Sequence, residues 1–140
     1  HLPVEAIALP LAFVGLGTRW RVGAGFYLSC LLGAAFTDLL MLFTGVMHAW
    51  PEVVQAPFPE ASVLLHETAE QLIKPQSIFL LIAAAVLIVL ISNLMKERAI
   101  LHTPLGRTWL VASAALITTL WVDGLFLLTA LIQPRLSGLI

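Results

Sequence analysis

Long apolar runs, separated by short polar segments, set the pattern of this chain. They cover about residues 3–17, 22–48, 78–95 and 108–132. A helix that crosses the hydrocarbon core of a bilayer needs about 20 mostly apolar residues, and the last three runs approach or exceed that length. The first run is shorter and contains Glu5 and Pro10. We expect it to be a span, with a half-buried hairpin arm as the alternative. The pattern predicts an all-α, four-transmembrane-helix bundle that forms a single integral membrane domain over residues 1–140.

The longest polar stretch, between the second and third runs, predicts a short amphipathic helix at about residues 60–74. Glu60 falls in its first turn, where the helix dipole favours a carboxylate. The apolar side chains that would share one face are Leu65, Ala69, Leu72 and Ile73. A helix with one apolar face fits the surface of a membrane. The alternative is a solvated loop that happens to carry leucines.

The composition supports a lipid environment. Hydrophobic residues make up 60% of the chain and charged residues 11%, with a mean hydropathy of +1.00. Soluble domains are roughly 45–50% apolar and about 25% charged. A net charge of −1, without a basic stripe, argues against nucleic-acid binding. The expected partners are membrane lipids and other integral membrane subunits. The chain opens at His1 rather than at Met, so we expect a start residue or a short leader to precede it.

The distribution of Lys and Arg predicts an orientation. Five of these residues flank the connections after the first and third runs: Arg19, Arg21, Lys96, Arg98 and Arg107. With four spans these connections share one side, and the positive-inside rule places that side in the cytoplasm. The opposite side has only Lys74 and Arg135. Both termini and the amphipathic helix are therefore expected on the outer or lumenal side of a bacterial plasma membrane or thylakoid.

The first two runs resemble the last two. GTRWRV matches GRTWLV, and FTDLLMLFTG matches WVDGLFLLTA, at residues 17–22, 106–111, 36–45 and 121–130 respectively. In the second match Asp38 aligns with Asp123. Two helical hairpins in the same orientation would form a parallel repeat. Chance similarity between apolar segments is the alternative.

Asp38 and Asp123 are the most informative residues. Each lies near the middle of an apolar run, where an ionised Asp costs about 2.5–3.5 kcal/mol on insertion scales. Small residues share a face with them, namely Ala34 and Gly45 in the second run, and Ala112, Ala115, Thr119 and Ala130 in the fourth. Such faces let helices approach closely. We expect protonated carboxyls that join these two helices. A proton or cation path, or contact with another subunit or a cofactor, are the alternatives.

The histidines are weaker candidates for a functional role than Asp38 and Asp123. HETAE begins like the HExxH helix of zinc proteases, but residue 70 is Glu, so that motif fails. His66 and Glu70, four residues apart, could share a surface metal. His48 and His66 lie at predicted membrane boundaries, where a histidine can ligate a chlorophyll-type magnesium. The alternative is that His48 and His66 are simply polar residues at the membrane–water interface. Carotenoid and bound lipid are the other cofactors expected in such a setting.

Two segments, LPLAFVGLGTRWRVGAGFYLSCLLGAAFTDLLM and WVDGLFLLTALIQPRLSGL, resemble a family of small, uncharacterised integral membrane proteins of cyanobacteria. The residues that carry the resemblance are Thr18-Arg19-Trp20-Arg21, Tyr27, Thr37-Asp38 and Val122-Asp123-Gly124. The resemblance covers most of the chain. It implies a thylakoid or plasma membrane of a photosynthetic bacterium, and it implies no catalytic residues.

The sequence contains no nucleophile elbow, phosphate loop or zinc cluster. Ser29 and Cys30 lie within an apolar run with no His in reach by spacing, so we expect no enzyme. Small size and short loops favour an accessory structural subunit of a larger membrane complex, plausibly a photosynthetic one such as a photosystem. The alternative is a small oligomeric transporter or channel that uses Asp38 and Asp123.

Overall fold

The protein, seen in a computed structural model, is mostly helical in its described part, which comprises residue 4, residues 6–100 except the side chain of residue 58, and residues 105–132. The six α-helices of that part are α1 (Leu9–Leu16, after a 3₁₀ turn at Ala6–Ala8), α2 (Arg21–Phe43), α3 (Val46–Gln55), α4 (Phe58–Gln71), α5 (Pro75–Ile100) and α6 (Gly106–Ile132). No strand occurs among the described residues, so the all-α prediction is confirmed for them.

Three helices, α2, α5 and α6, are long and apolar enough to cross a membrane. They contain most of the second apolar run and all of the third and fourth, and they are compatible with membrane insertion. The first run forms a shorter apolar helix from Ala6 to Leu16, about 16 Å long at 1.5 Å per residue. The hydrocarbon core is about 30 Å thick, so the structure does not confirm a fourth span. Pro3 and Glu5 of that predicted span lie outside the described residues, as do both termini and Arg135.

The second apolar run is divided, whereas the sequence predicted one span over residues 22–48. Helix α2 ends at Phe43, and Gly45 adopts a left-handed conformation with φ of 81°. Glycine reaches this conformation without the steric cost of a Cβ atom. Thr44 completes the helix end, because its Oγ1 donates to the Leu40 carbonyl over 2.7 Å. Apolar residues continue past this glycine, so hydropathy alone did not locate the end of the helix.

Helix α3, after the break, was not predicted. It includes Pro51, a residue expected near the ends of helices rather than inside one. Pro51 is exposed, and a proline in a helix removes one backbone hydrogen bond. The apolar side chains of α3 that are buried are Val46 and Val53, on the opposite face. Packing of that face holds the short helix together despite the proline.

The chain forms two compact units, and the boundaries between them fall inside α2, α5 and α6. The first unit consists of residues 1–36 and 85–120. Within it α2 and α6 run parallel, since Gly25 approaches Thr108 and, further along both helices, Gly33 approaches Thr119. A parallel pair brings the N-terminal ends of α2 and α6, with their basic residues, to the same end of this unit.

Helix α5 runs antiparallel to α6 in the first unit. The Ser92 and Ser113 hydroxyls lie 2.6 Å apart, and both side chains are fully buried. Nearer the connection between the two helices, the Arg98 guanidinium lies over the Trp109 ring. Serine pairs of this kind give two apolar helices a hydrogen bond that lipid cannot supply.

The second unit consists of residues 37–84 and 121–140. Its described part contains α3, α4 and the C-terminal part of α6, which meet around a buried cluster of Val53, Leu65, Ala69 and Ala130. Trp50 and Phe126 pack against this cluster. The cluster fixes the short helices of this unit on the long helix α6.

Helix α4 is the amphipathic helix expected at residues 60–74, although it spans Phe58–Gln71. Leu65 and Ala69 are buried as predicted for its apolar face, but Ile73 is 51% exposed and lies beyond the helix end. Ser62 and Thr68 complete the buried face instead. That face packs against protein in the second unit, whereas the sequence predicted contact with the membrane surface.

Candidate functional site

Small side chains form the contact between α2 and α6 in the first unit. A Cβ atom added at Gly33 would lie 2.7 Å from the Thr119 Cγ2 atom, closer than real Cβ contacts allow. A Cβ at Gly25 would overlap the Thr108 methyl group. Both glycines are buried. Only a hydrogen atom fits between the helices at these two points.

A hydroxyl group joins the same two helices between the glycines. The Ser29 Oγ donates to the Ala112 carbonyl over 2.5 Å, and both residues are buried. Because the Ser29 hydroxyl has a protein acceptor, it is not an exposed nucleophile. The described contact between α2 and α6 in the first unit is therefore made by neutral groups.

The residues of α2 that contact α6 are spaced four positions apart: Gly25, Ser29, Gly33 and Thr37. This is the small-xxx-small pattern of closely packed membrane helices, and it was the sequence signal that could have identified the face. The sequence predicted a face of α2 through Ala34 and Asp38, which follow Gly33 and Thr37 by one residue each. One residue corresponds to a rotation of about 100° around the helix axis. The expected contact between the second and fourth runs is present, and its described contacts on α2 are made by Gly25, Ser29, Gly33 and Thr37.

Asp123 is bonded to a facing helix in the second unit. The Thr37 Oγ1 on α2 donates to the Asp123 Oδ2 on α6 over 2.5 Å, and both side chains are half-buried. A hydrogen bond to a carboxylate is stronger than one between neutral groups, and a carboxyl oxygen remains an acceptor when the group is protonated. Asp123 can therefore join α2 to α6 in either protonation state. Sequence reasoning found Asp123 but missed its donor Thr37.

Asp38 has a different environment, although it aligns with Asp123 in the repeat. It is half-buried, and its carboxyl makes no hydrogen bond within the described residues. The residue that aligns with Thr37 is Val122, which has no hydroxyl to donate and is 57% exposed. The bond between Thr37 and Asp123 consequently has no counterpart at Asp38.

The aligned tryptophans of the repeat share one feature in the first unit. The Arg19 guanidinium lies 5.4 Å from the Trp20 ring centroid, and the Arg98 guanidinium lies 5.6 Å from the Trp109 ring centroid. Both distances are within the range of a cation–π contact. Basic and aromatic side chains in contact near helix ends are typical of a membrane–water boundary.

His66 is held by two contacts in the second unit. Its Nδ1 lies 3.0 Å from the Ala130 carbonyl oxygen, which can only accept, so Nδ1 carries a proton. In the neutral ring Nε2 then keeps its lone pair, the arrangement found in histidine metal ligands. Nε2 lies 3.4 Å from the Glu70 Oε1 at a partly exposed site. His66 and Glu70 are thus close enough to share a cation.

His48 lies apart from these contacts, exposed on α3. No group of three or more His, Cys, Asp or Glu side chains in the described part of the chain could hold a metal ion. A chlorophyll-type magnesium needs only one axial ligand from the protein, because its ring supplies the others. Of the two histidines, only His66 is oriented by a protein hydrogen bond.

Comparison with known proteins identifies a family. A family model matches residues 1–131, which include all of the helices described above except the last residue of α6. The chain belongs to the DUF3120 family, described as Protein of unknown function. No curated protein and no solved structure shows a significant match to the chain.

Proposed function

We propose that this DUF3120 chain is an accessory structural subunit of a larger membrane complex, a photosynthetic one in a cyanobacterial thylakoid-type membrane. The described contacts of α2, α5 and α6 join helices to one another and contain no arrangement suited to covalent chemistry. Only 11%, 11% and 17% of the apolar windows of these helices are buried within the chain. Most of their surface is therefore available to lipid or to other membrane subunits.

The observation that carries this proposal is the exposure of Trp121. It lies near the middle of α6, and it is 67% exposed. Tryptophan prefers the membrane–water interface, where its indole N–H finds a partner, over the hydrocarbon core. Beside it, a Cβ at Gly124 would meet no atom within 4 Å, so another helix has room to approach closely. A partner subunit would supply both the acceptor and the packing.

Asn93 supports the same conclusion in the first unit. Its amide is exposed on α5, whereas the neighbouring Ser92 hydroxyl is fully buried and bonded to Ser113. An exposed amide on a membrane helix costs free energy in lipid and gains a hydrogen bond against another helix. We assign this face, too, to a partner subunit.

The experiment is purification from native membranes in mild detergent, followed by mass spectrometry. The expected result is stoichiometric recovery of other integral membrane chains. Trp121→Ala and Asn93→Leu should reduce that recovery. Phe79→Ala is the matched control, since Phe79 is 73% exposed but presents no polar group. A symmetric homo-oligomer without other chains would contradict the proposal.

The proposed membrane topology follows from the basic residues. Five of the seven Lys and Arg lie in the first unit, around the N-terminal ends of α2 and α6. We place this end in the cytoplasm by the positive-inside rule. The segment before α2 crosses as a fourth span, and the termini and α4 are outside or lumenal. Accessibility labelling of Glu67→Cys in a Cys30→Ser background tests this, and labelling from the cytoplasm alone would contradict it.

Pigment binding at His66 is a further part of the proposed function. Nδ1 is occupied by the Ala130 carbonyl, so Nε2 is the atom that would ligate a chlorophyll-type magnesium. His48 is the second candidate, and a carotenoid would bind through apolar contacts alone. The absorption spectrum of the purified complex should lose chlorophyll bands in His66→Phe and keep them in His48→Phe. Equal spectra for the parent and His66→Phe would exclude His66 as the ligand.

The second candidate function is a small oligomeric transporter or channel, and Asp38 favours it. Its half-buried carboxyl has no hydrogen bond within the described residues, as a group that binds and releases a cation requires. Reconstitution into liposomes with a pH-sensitive dye separates the two functions. The subunit proposal predicts no proton flux from the parent. Flux that disappears in Asp38→Asn, with assembly unchanged, would establish the transporter.

A further inference from the structure

The first unit contains an apolar cavity of about 250 Å³. Side chains of α2, α5 and α6 line it, among them Leu28, Leu32, Met95, Thr108 and Trp109. Sites for drug-sized ligands have volumes of about 300–1,000 Å³, so this cavity is smaller than those. At about 30 Å³ for a water-sized group, it accommodates roughly eight such groups. That is the size of a segment of an alkyl chain.

One polar group beside this cavity lacks a partner. Thr108 is only 5% exposed, and its Oγ1 makes no hydrogen bond within the described residues. The threonine is held in place by its methyl group, which packs against the backbone of Gly25. A buried hydroxyl without an acceptor is unfavourable. The cavity therefore combines an apolar wall with one unpaired hydroxyl among its lining residues, which suits the carbonyl of a ligand with a long apolar chain.

Positive charge lies next to the same cavity. Trp109 forms part of its wall, and the Arg98 guanidinium lies over that ring at 5.6 Å. Lys96 and Arg107 adjoin the lining residues Met95 and Thr108 in sequence, and both are exposed. Glu97 is the only acidic residue among the described residues of the first unit. The charge balance at this end favours an anionic head group.

We propose that the first unit binds one anionic membrane phospholipid. Part of an acyl chain fills the cavity, an ester carbonyl accepts a hydrogen bond from the Thr108 hydroxyl, and the phosphate lies beside Arg98. The guanidinium of an arginine pairs well with phosphate oxygens, since it presents several N–H donors in one plane. This inference does not depend on the partner complex or on pigment.

The test is native mass spectrometry of the purified chain after delipidation and titration with phosphatidylglycerol. One phosphatidylglycerol per chain should bind more tightly than phosphatidylcholine with the same acyl chains. Thr108→Val keeps the methyl that packs on Gly25 and replaces the hydroxyl with a methyl of similar size. It should weaken binding about two- to tenfold, the effect of one hydrogen bond. Arg98→Gln should reduce the preference for phosphatidylglycerol over phosphatidylcholine.

Leu28→Trp fills the cavity and should abolish binding. Its matched control is Leu128→Trp, at a 50% exposed position in the second unit, and Lys74→Gln is the control for loss of charge. Unchanged affinity in Thr108→Val would overturn the proposal even if Leu28→Trp failed to fold. Equal affinity for the two phospholipids, or tighter binding of oleic acid or of a neutral isoprenoid quinone, would also overturn it.

Discussion

The first unit holds α2 against α6 with neutral small side chains, whereas the second unit uses groups that can carry charge. In the first, two glycines allow close approach, and the Ser29 hydroxyl bonds to a backbone carbonyl. In the second, Thr37 donates to Asp123, and His66 reaches the Ala130 carbonyl. The same pair of long helices is therefore joined by neutral small residues in one unit and by a hydrogen bond to a carboxyl group in the other.

This difference has a consequence for function. Neutral contacts between glycine, serine and threonine do not change with protonation, so the first unit is suited to a fixed scaffold. Asp123 and His66 carry ionisable side chains, and the described contacts of both lie in the second unit. Substitutions at these contacts test the contrast between the two units.

Gly33→Val should destabilise the protein most, because its Cβ would lie within 3 Å of three Thr119 atoms. Overpacking of this kind costs about 1–3 kcal/mol, and three contacts below 3 Å place the cost at the upper end. Reversible unfolding in mixed micelles, followed by tryptophan fluorescence, measures it. Gly23→Val is the control on the same helix, since a Cβ there meets nothing within 4 Å. Equal losses for both variants would exclude a steric contact at Gly33.

Asp123→Leu should have the second-largest effect and lower the free energy of unfolding by about 2 kcal/mol, because it removes the acceptor of the Thr37 hydroxyl. Asp123→Asn keeps an acceptor oxygen in the same place and should lower the free energy of unfolding by less than about 1 kcal/mol. The same unfolding assay, with gel filtration in detergent for assembly, distinguishes the two variants. If Asp123→Asn proved as damaging as Asp123→Leu, the negative charge rather than the hydrogen bond would hold the helices together.

Ser29→Ala should cost about 1 kcal/mol, since it removes one buried hydrogen bond to the Ala112 carbonyl. Thr118→Ala provides the comparison. The Thr118 hydroxyl is exposed and bonds only to Ala114 within its own helix, so its loss should change stability by less. Equal effects of the two substitutions on the unfolding free energy would argue against a bond between helices at Ser29.

Glu70→Gln should have the smallest effect, below about 0.5 kcal/mol, because Glu70 is mostly exposed and its contact with His66 is an i,i+4 pair. His66→Ala should lose more than Glu70→Gln, since the bond to the Ala130 carbonyl connects two helices. Thermal unfolding of both variants at fixed pH compares them. A larger loss in Glu70→Gln would show that the ion pair, and not the carbonyl bond, positions His66.

The sequence was sufficient to predict the long helices, because hydropathy over 18 or more residues is a local property. The end of α2 at Phe43 was missed because Val46, Met47 and Trp50 keep the segment apolar beyond Gly45. The first span stays a prediction, because its beginning lies outside the described residues. The buried face of α4 depends on α3 and α6, which no local pattern of α4 contains.

The candidate site was predictable only in part, and for a physical reason. Asp123 is conspicuous in an apolar run because a carboxyl is costly there, but its donor Thr37 is an ordinary residue whose role depends on the facing helix. The packing face of α2 could have been identified from the sequence, because small residues recur every four positions from Gly25 to Thr37. The cavity beside Thr108 arises from three helices at once, so neither its volume nor the unpaired hydroxyl could be derived from sequence order.

The most direct test of the central proposal, that this chain is a subunit of a larger membrane complex, is photo-crosslinking in native membranes. A photoreactive amino acid replaces Trp121, and a second variant carries it in place of Phe79, which is equally exposed in the same unit. We expect the probe at 121 to form one dominant adduct with a different integral membrane chain, and the probe at 79 to react mainly with lipid. Lipid adducts alone at both positions, or adducts only with a second copy of this chain, would contradict the proposal.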